Sequence, residues 1–253
     1  LWANSDAVGT GNIQIGAYTD VTSRAGAITI AGSATASETS PTGYAVGSLY
    51  GVDIGVSATA TDSVRISSTS GDITIRGRSN NANSTSASAI QLWSGNSITS
   101  TTGAILLDGY SFRPQTSGGH AVEIGKTGGF TTTISTGDPS GDAITISGIV
   151  ETGPESNTNA NGIILGLAST GTINVNATGG GNISLTGVAS TATTDSIEVN
   201  RANITATSGN ITFNGGTQRV AFGDNAVNTL GGAAAAADHT GNINICGGRV
   251  DFV

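Results

Sequence analysis

The sequence contains no methionine, one lysine (Lys126) and one cysteine (Cys246). A lone cysteine cannot close an intrachain disulfide, so cysteine usage does not point to a redox compartment. No apolar run approaches the ~18 residues that a membrane-spanning helix needs, which argues against membrane insertion by this segment. Charged residues are also scarce, 10% of the chain, where ~25% is usual. The net charge is −8, and an acidic surface repels nucleic-acid phosphates and anionic lipids. There is neither an initiating methionine nor a signal segment, and Leu1 and Trp2 already read as strand. The expectation is one continuous segment over residues 1–253, cut from a longer repeat array.

What the chain does have is glycine, 39 of 253 residues, about twice average usage. With so little charge this could signal disorder, but disordered chains lack the apolar residues needed to offset ordering entropy. Here 36% of residues are hydrophobic, and they fall in short alternating runs. The chain can therefore build a core.

One short pattern recurs: Gly, a small or polar residue, Ile, any residue, then Ile, Leu or Phe, often with a second Gly two residues on. It appears at Gly26, Gly71, Gly103, Gly141 (one residue longer), Gly181, Gly209 and Gly241. Aligned on the first isoleucine, it places Ile28, Ile73, Ile105, Ile144, Ile183, Ile211 and Ile243 in one column, at intervals of 45, 32, 39, 39, 28 and 32 residues. A fixed pattern separated by variable loops is how a solenoid accommodates insertions.

A second strand follows each motif: AVGSL at 45–49, AIQLW at 89–93, AVEIG at 121–125, GIILG at 162–166, SIEVN at 196–200 and RVAFG at 219–223. A third precedes the next motif, at 63–67, 97–100, 132–136, 172–176 and 203–206. The apolar period is 2 throughout, which excludes helix apart from one short turn in the alanine run at 233–237. The expected fold is all-β: a right-handed parallel β-helix of about seven coils, with three short strands per coil and variable loops. Handedness follows from the general rule for parallel crossovers. The isoleucine column faces inward, and Ala31, Arg76, Asp108, Ser147, Thr186, Asn214 and Cys246 face outward. LWANS with GNIQI matches LWSGNSI at 92–98, a second strand running into a third. RVDFV at 249–253 matches RVAFG. On that alignment the chain starts and stops at one phase of the coil, with ends suited to further coils or to copies stacked end to end.

The segments GNIQI, SGDITI, SGNITF and TGTINVNATGGGNISLTG resemble the filamentous-haemagglutinin-type repeats of large bacterial exoproteins, found in two-partner-secretion adhesins and autotransporter passengers. The resemblance covers nearly the whole chain. It implies a right-handed β-helix, export to the bacterial outer surface, and adhesion or display, with host-cell glycans or proteins as partners. The Asn-Pro-Asn motifs of that family's secretion domain are absent, and the resemblance is to the shaft alone.

The richest loop chemically is 108–124, with Asp108, Tyr110, Phe112, Arg113, His120 and Glu123. Acid, arginine and histidine together are the parts of a general acid–base site. Nothing in their spacing fixes a geometry, and Asp108 falls one coil after Arg76, where an ion pair between coils is the simpler role. Ligand binding is assigned to Tyr110, Phe112 and Arg113, and no catalytic, metal or cofactor residue is assigned. Tyr44 and Tyr50 either stack on sugars or pack over coil edges. The carboxylates look scattered, with no column stacking several, which argues against a glycosidase pair and a calcium spine. His120, His239 and Cys246 lack metal-ligand spacing. Asn182, Asn210 and Asn242, with Asp72, recur before the column isoleucine, as either an inter-coil ladder or a turn preference. The glycosylation-type triplets at Asn83, Asn176, Asn182, Asn203 and Asn210 are expected by chance in this composition. The functional expectation is a structural or adhesive extracellular shaft. A carbohydrate-active or carbohydrate-binding β-helix is the alternative. An ice-binding face is disfavoured because the threonine columns are mixed and interrupted by loops.

Overall fold

A computed structural model of the chain describes residues 1–3, 11–35, 40–55, 63–80, 88–112, 119–126, 128–151, 160–166, 171–191, 193–223, 228–231 and 240–252. Arg113, Asn83, His239 and the alanine run at 233–237 lie outside them. Among the described residues there is no helix. The strands form three sheets of nine, eight and seven strands, and every strand pairing is parallel. Each sheet collects one strand from each successive turn of the chain, which makes a three-sided parallel β-helix of seven to eight coils.

The repeated motif forms the first sheet, for example Ile73–Ser79, Ile105–Ser111 and Asp142–Val150. Its isoleucines stack in register: Ile28 opposite Ile73, Ile73 opposite Ile105, Ile105 opposite Ile144, and so on to Ile211 opposite Ile243. Six of the seven are buried, and each fully buried side chain contributes ~1.5–3 kcal/mol by leaving water. The seventh, Ile243, is 41% exposed; its strand is the last described in this sheet and pairs on one side only, with that of Ile211. The outward column also has one exception. Ala31 is fully buried, since Trp2–Ala3 adds a strand beside it and covers it.

Close stacking accounts for both glycines of the motif in most coils, the exceptions at the first position being Gly26 and Gly141. A Cβ on Gly103 would lie 2.4 Å from the Gly71 carbonyl oxygen of the preceding coil, and one on Gly71 2.2 Å from the Gly26 oxygen. The second glycine sits where the first strand turns into the second: a Cβ on Gly109 would lie 2.3 Å from the Ala121 oxygen. Gly77, Gly109, Gly148 and Gly187 pair in one row, each against the backbone of the following strand.

A hydroxyl three residues before the first glycine completes the turn. Ser100 Oγ accepts from the Gly103 N–H (2.9 Å) and donates to the Gly71 carbonyl one coil back (3.2 Å). Ser68 makes the same pair of bonds with Gly71 and Gly26. The Asn positions add a further coil-to-coil link. Asn182 Oδ1 accepts from the Asn210 N–H (2.8 Å), Asn210 Oδ1 from the Asn242 N–H (2.9 Å), and Asp72 Oδ1 from the Ala104 N–H (2.9 Å). The ladder thus runs from side chain to backbone.

Two expected strand placements are corrected. AVGSL is not a second strand: Ala45–Gly47 pairs with Gly77–Ser79 in the first sheet, continuing the row begun by Ile28–Ile30 against Ile73–Ile75. Gly32 and Gly43 bridge antiparallel where the chain leaves that row and rejoins it, so this insertion lies inside a first strand. The second strand of that coil is Tyr50–Ile54. At the amino end, Trp2–Ala3 belongs to the first sheet and Ile13–Ile15 to the second, one phase earlier than expected. The first and last described strands therefore lie at different phases, since Arg249–Phe252 closes the second sheet.

Candidate functional site

The three outer faces differ in chemistry. On the first sheet, Arg76 stacks beside Asp108 in adjacent strands, with Nε 3.6 Å from Oδ2. Tyr44 donates from its hydroxyl to the same carboxylate at 3.0 Å. Burial, then the Asp108 charge and hydrogen bond, push the Tyr44 hydroxyl up to about 12. Two residues further along the strand, Arg78 lies over the rings of Tyr110 (5.2 Å) and Phe112 (4.9 Å), and Tyr110 donates to Glu151 at 2.7 Å. Two of the three residues assigned to ligand binding, Tyr110 and Phe112, thus share one cation-capped aromatic patch. Tyr44 joins it, 6.3 Å from Tyr110 between ring centroids. Tyr50 belongs to a different face.

His120 is also elsewhere, just before the internal second-sheet strand Val122–Lys126. Its Nδ1 accepts from the Asn161 N–H at 3.1 Å, and burial lowers its pKa from the ordinary 6.5. The unfolded chain therefore takes up a proton near pH 6.5 before the folded chain does. Stability is expected to be lost as pH falls below 6.5, by up to ~1.4 kcal/mol per pH unit until the folded histidine itself titrates. Thermal unfolding at pH 7.5 and 5.5 checks this, with His120→Gln as the reference. An equal acid sensitivity in that variant would exclude His120 as its source.

The second sheet carries a column that contradicts the expectation of scattered carboxylates. Gln14, Asp53, Gln91, Glu123, Ile164, Glu198, Ala221 and Asp251 pair in register, with an acid on every second coil. These side chains alternate with the interior ones, yet Asp53, Gln91 and Glu123 are at most 4% exposed. Trp93 Nε1 donates to Asp53 Oδ1 (2.9 Å), with Gln91 Nε2 at 3.4 Å from the same oxygen and Gln14 Nε2 at 3.3 Å from Oδ2. Ser88 donates to Glu123 at 2.7 Å. Lys126 donates to Gln91 Oε1 (2.8 Å) and to Glu123 Oε2 (3.3 Å), and its ammonium sits 5.7 Å and 5.9 Å from the ring centres of Trp93 and Tyr50. Burial raises the pKa of Asp53, against the lowering effect of the Trp93 and Gln14 hydrogen bonds. Further along, Glu198 accepts from Asn161 (2.6 Å) and Asn200 (2.8 Å).

Sequence reasoning missed this column because it followed the glycine motif. The signal lay in the second-strand triplets IQI, VDI, IQL, VEI, IIL, IEV, VAF and VDF, whose central residues are the column.

The third sheet is the smooth face. The turns from it to the first sheet are short through residue 210, and none of its pairings contains a register shift. Thr22, Ser67, Thr99, Ser135, Asn176 and Thr205 form one outward row, so its mixed composition is as expected while the expected interruption by loops is not found. A groove of about 560 Å³ runs along this edge, lined by Thr22, Ser67, Thr99, Ser135 and Thr178 among others. Among the described residues no set of three or more His, Cys, Asp or Glu could hold a metal ion. Cys246 is exposed with a free thiol.

Comparisons with models of protein families, with curated proteins and with solved structures find no match to this chain.

Proposed function

We propose that this segment is a structural shaft of an adhesive or filamentous exoprotein displayed at a bacterial surface. The observation that supports the reading is the in-register parallel pairing along all three sides of the helix, reinforced from coil to coil by the hydroxyl and Asn links. Backbone pairing along the helix axis resists bending and unravelling, and a solenoid of this kind lengthens simply by adding coils. The resemblance to filamentous-haemagglutinin-type repeats points the same way. Such a shaft offers its richest side-chain chemistry to a partner at the first-sheet patch of Tyr44, Arg78, Tyr110 and Phe112.

Electron microscopy of the native protein, with its chain mass measured alongside, tests this reading. Seven to eight coils at ~4.8 Å make a stub of only ~35–40 Å. Thin rods many times that length are the expected result, and the chain mass tells one long chain from a polymer of short ones. Isolated compact particles of the stub's own size would overturn the shaft and direct attention to carbohydrate binding or cleavage.

A further inference from the structure

We propose that Lys126 and Gln91 form a spontaneous covalent cross-link, an amide bond from Lys126 Nζ to Gln91 Cδ that ties two successive coils of the second sheet together. The inference concerns the second-sheet cluster and stands whether or not the segment is a shaft.

The chain has a single lysine, and it follows Gly125, a left-handed glycine of the kind that also closes second strands at Gly55 and Gly166. Inward and outward residues alternate along Val122–Lys126, so position 126 would join Val122 and Ile124 in the interior. Instead the register shifts between Ile124 and Lys126, with Gly125 at φ +80°, and Lys126 pairs with Trp93. A bulge re-aims a side chain in this way, and here it brings Lys126 Nζ to 2.8 Å from the oxygen of the Gln91 carboxamide. Gln91 has no exposed surface, and the Trp93 and Tyr50 rings stand close beside the amine. Holding amine and carboxamide together in a fixed, largely buried geometry replaces a bimolecular encounter and removes the entropic part of the barrier.

Both proton carriers that the step needs are in contact with the reacting atoms. Glu123 Oε2 is 3.3 Å from Nζ, and Asp53 Oδ1 is 3.4 Å from Gln91 Nε2, the leaving nitrogen. Glu123 takes a proton from the ammonium, and the freed lone pair forms the new bond to Cδ. The bond from Cδ to Nε2 then breaks, with Asp53 supplying a proton to the departing nitrogen and taking the second amine proton in return, and the ammonia leaves as ammonium with the proton that Glu123 had taken. Burial favours the protonated form of Asp53, the form this role requires. One ammonium and one carboxamide become one secondary amide and one ammonium ion. No electrons are exchanged and no further reactant enters.

The test is the intact mass of the purified full chain, measured in denaturant. It is expected to fall short of the sequence mass by one ammonia. An amine-reactive reagent added to the denatured chain is expected to label the amino terminus and leave Lys126 untouched. Lys126→Arg and Gln91→Leu are expected to restore the full mass. Glu123→Gln keeps both partners and is expected to remain uncross-linked. A full-mass wild-type chain with a reactive Lys126 overturns the proposal. So does a deficit of one water, which would put the bond on a carboxylate. An ammonia deficit that persists in Lys126→Arg also overturns it, since that loss would come from cyclisation at an Asn-Gly step.

Discussion

Gly109→Ala is expected to destabilise the fold by ~3 kcal/mol, the upper range for overpacking a filled site. The new methyl would lie 2.3 Å from the carbonyl oxygen of Ala121 and 2.7 Å from Cγ2 of Val122. The first of these atoms is backbone held in the second sheet, where Ala121 O accepts from the Ile90 N–H at 3.0 Å. Making room for the methyl would shift a strand and its pairing with the previous coil. Gly129→Ala is the reference: a Cβ there meets nothing within 4 Å. Its effect is expected to stay within ~1 kcal/mol, and on the stabilising side, because alanine restricts the unfolded chain more than glycine does. Urea unfolding of both variants separates a steric cause from a general loss of glycine. Equal losses at the two positions would remove the close-approach explanation of the motif.

That motif is why the fold was legible. The glycines and the isoleucine column are each imposed by the same close stacking, and stacking repeats with the coil, so the pattern survives loops of any length. The five third strands read between residues 63 and 206 were legible from their alternation and their place just before the motif glycine. Phase was less legible. A period-2 apolar run looks alike in every sheet, so Ile13–Ile15 and Ala45–Gly47 gave no local sign of which side they join. Only pairing partners decide that. The first-sheet patch was half visible: Tyr110 and Phe112 lie two apart at the end of the strand Ile105–Ser111, while Arg78 and Tyr44 reach them from other parts of the sheet. The second-sheet column was written in the apolar–polar–apolar triplets. Lys126 was not, because its place depends on a one-residue shift in pairing against Trp93 that alternation alone does not predict.

A stack whose coils touch only their neighbours assigns unequal value to chemically identical residues. Ile105 is 1% exposed, between Ile73 and Ile144, whereas Ile243 is 41% exposed and paired only with Ile211. Ile105→Ala is expected to cost ~4 kcal/mol, the lost transfer energy plus a cavity that two rigid neighbouring coils cannot close. Ile243→Ala removes less buried surface and leaves no enclosed cavity, so a cost of ~1 kcal/mol is expected. Ile245 and Val250, packed against the core from the same coil, are only partly buried, so this coil is weakly held in the 253-residue segment by itself. Amide hydrogen exchange should therefore run fastest at Ile243–Cys246 and slowest at Ile105–Ser111, with Ile105→Ala raising exchange in the coils on both sides of it. A uniform exchange rate along the first sheet, or equal costs for the two substitutions, would mean that the coils unfold as one cooperative block and that position along the axis carries no energetic meaning.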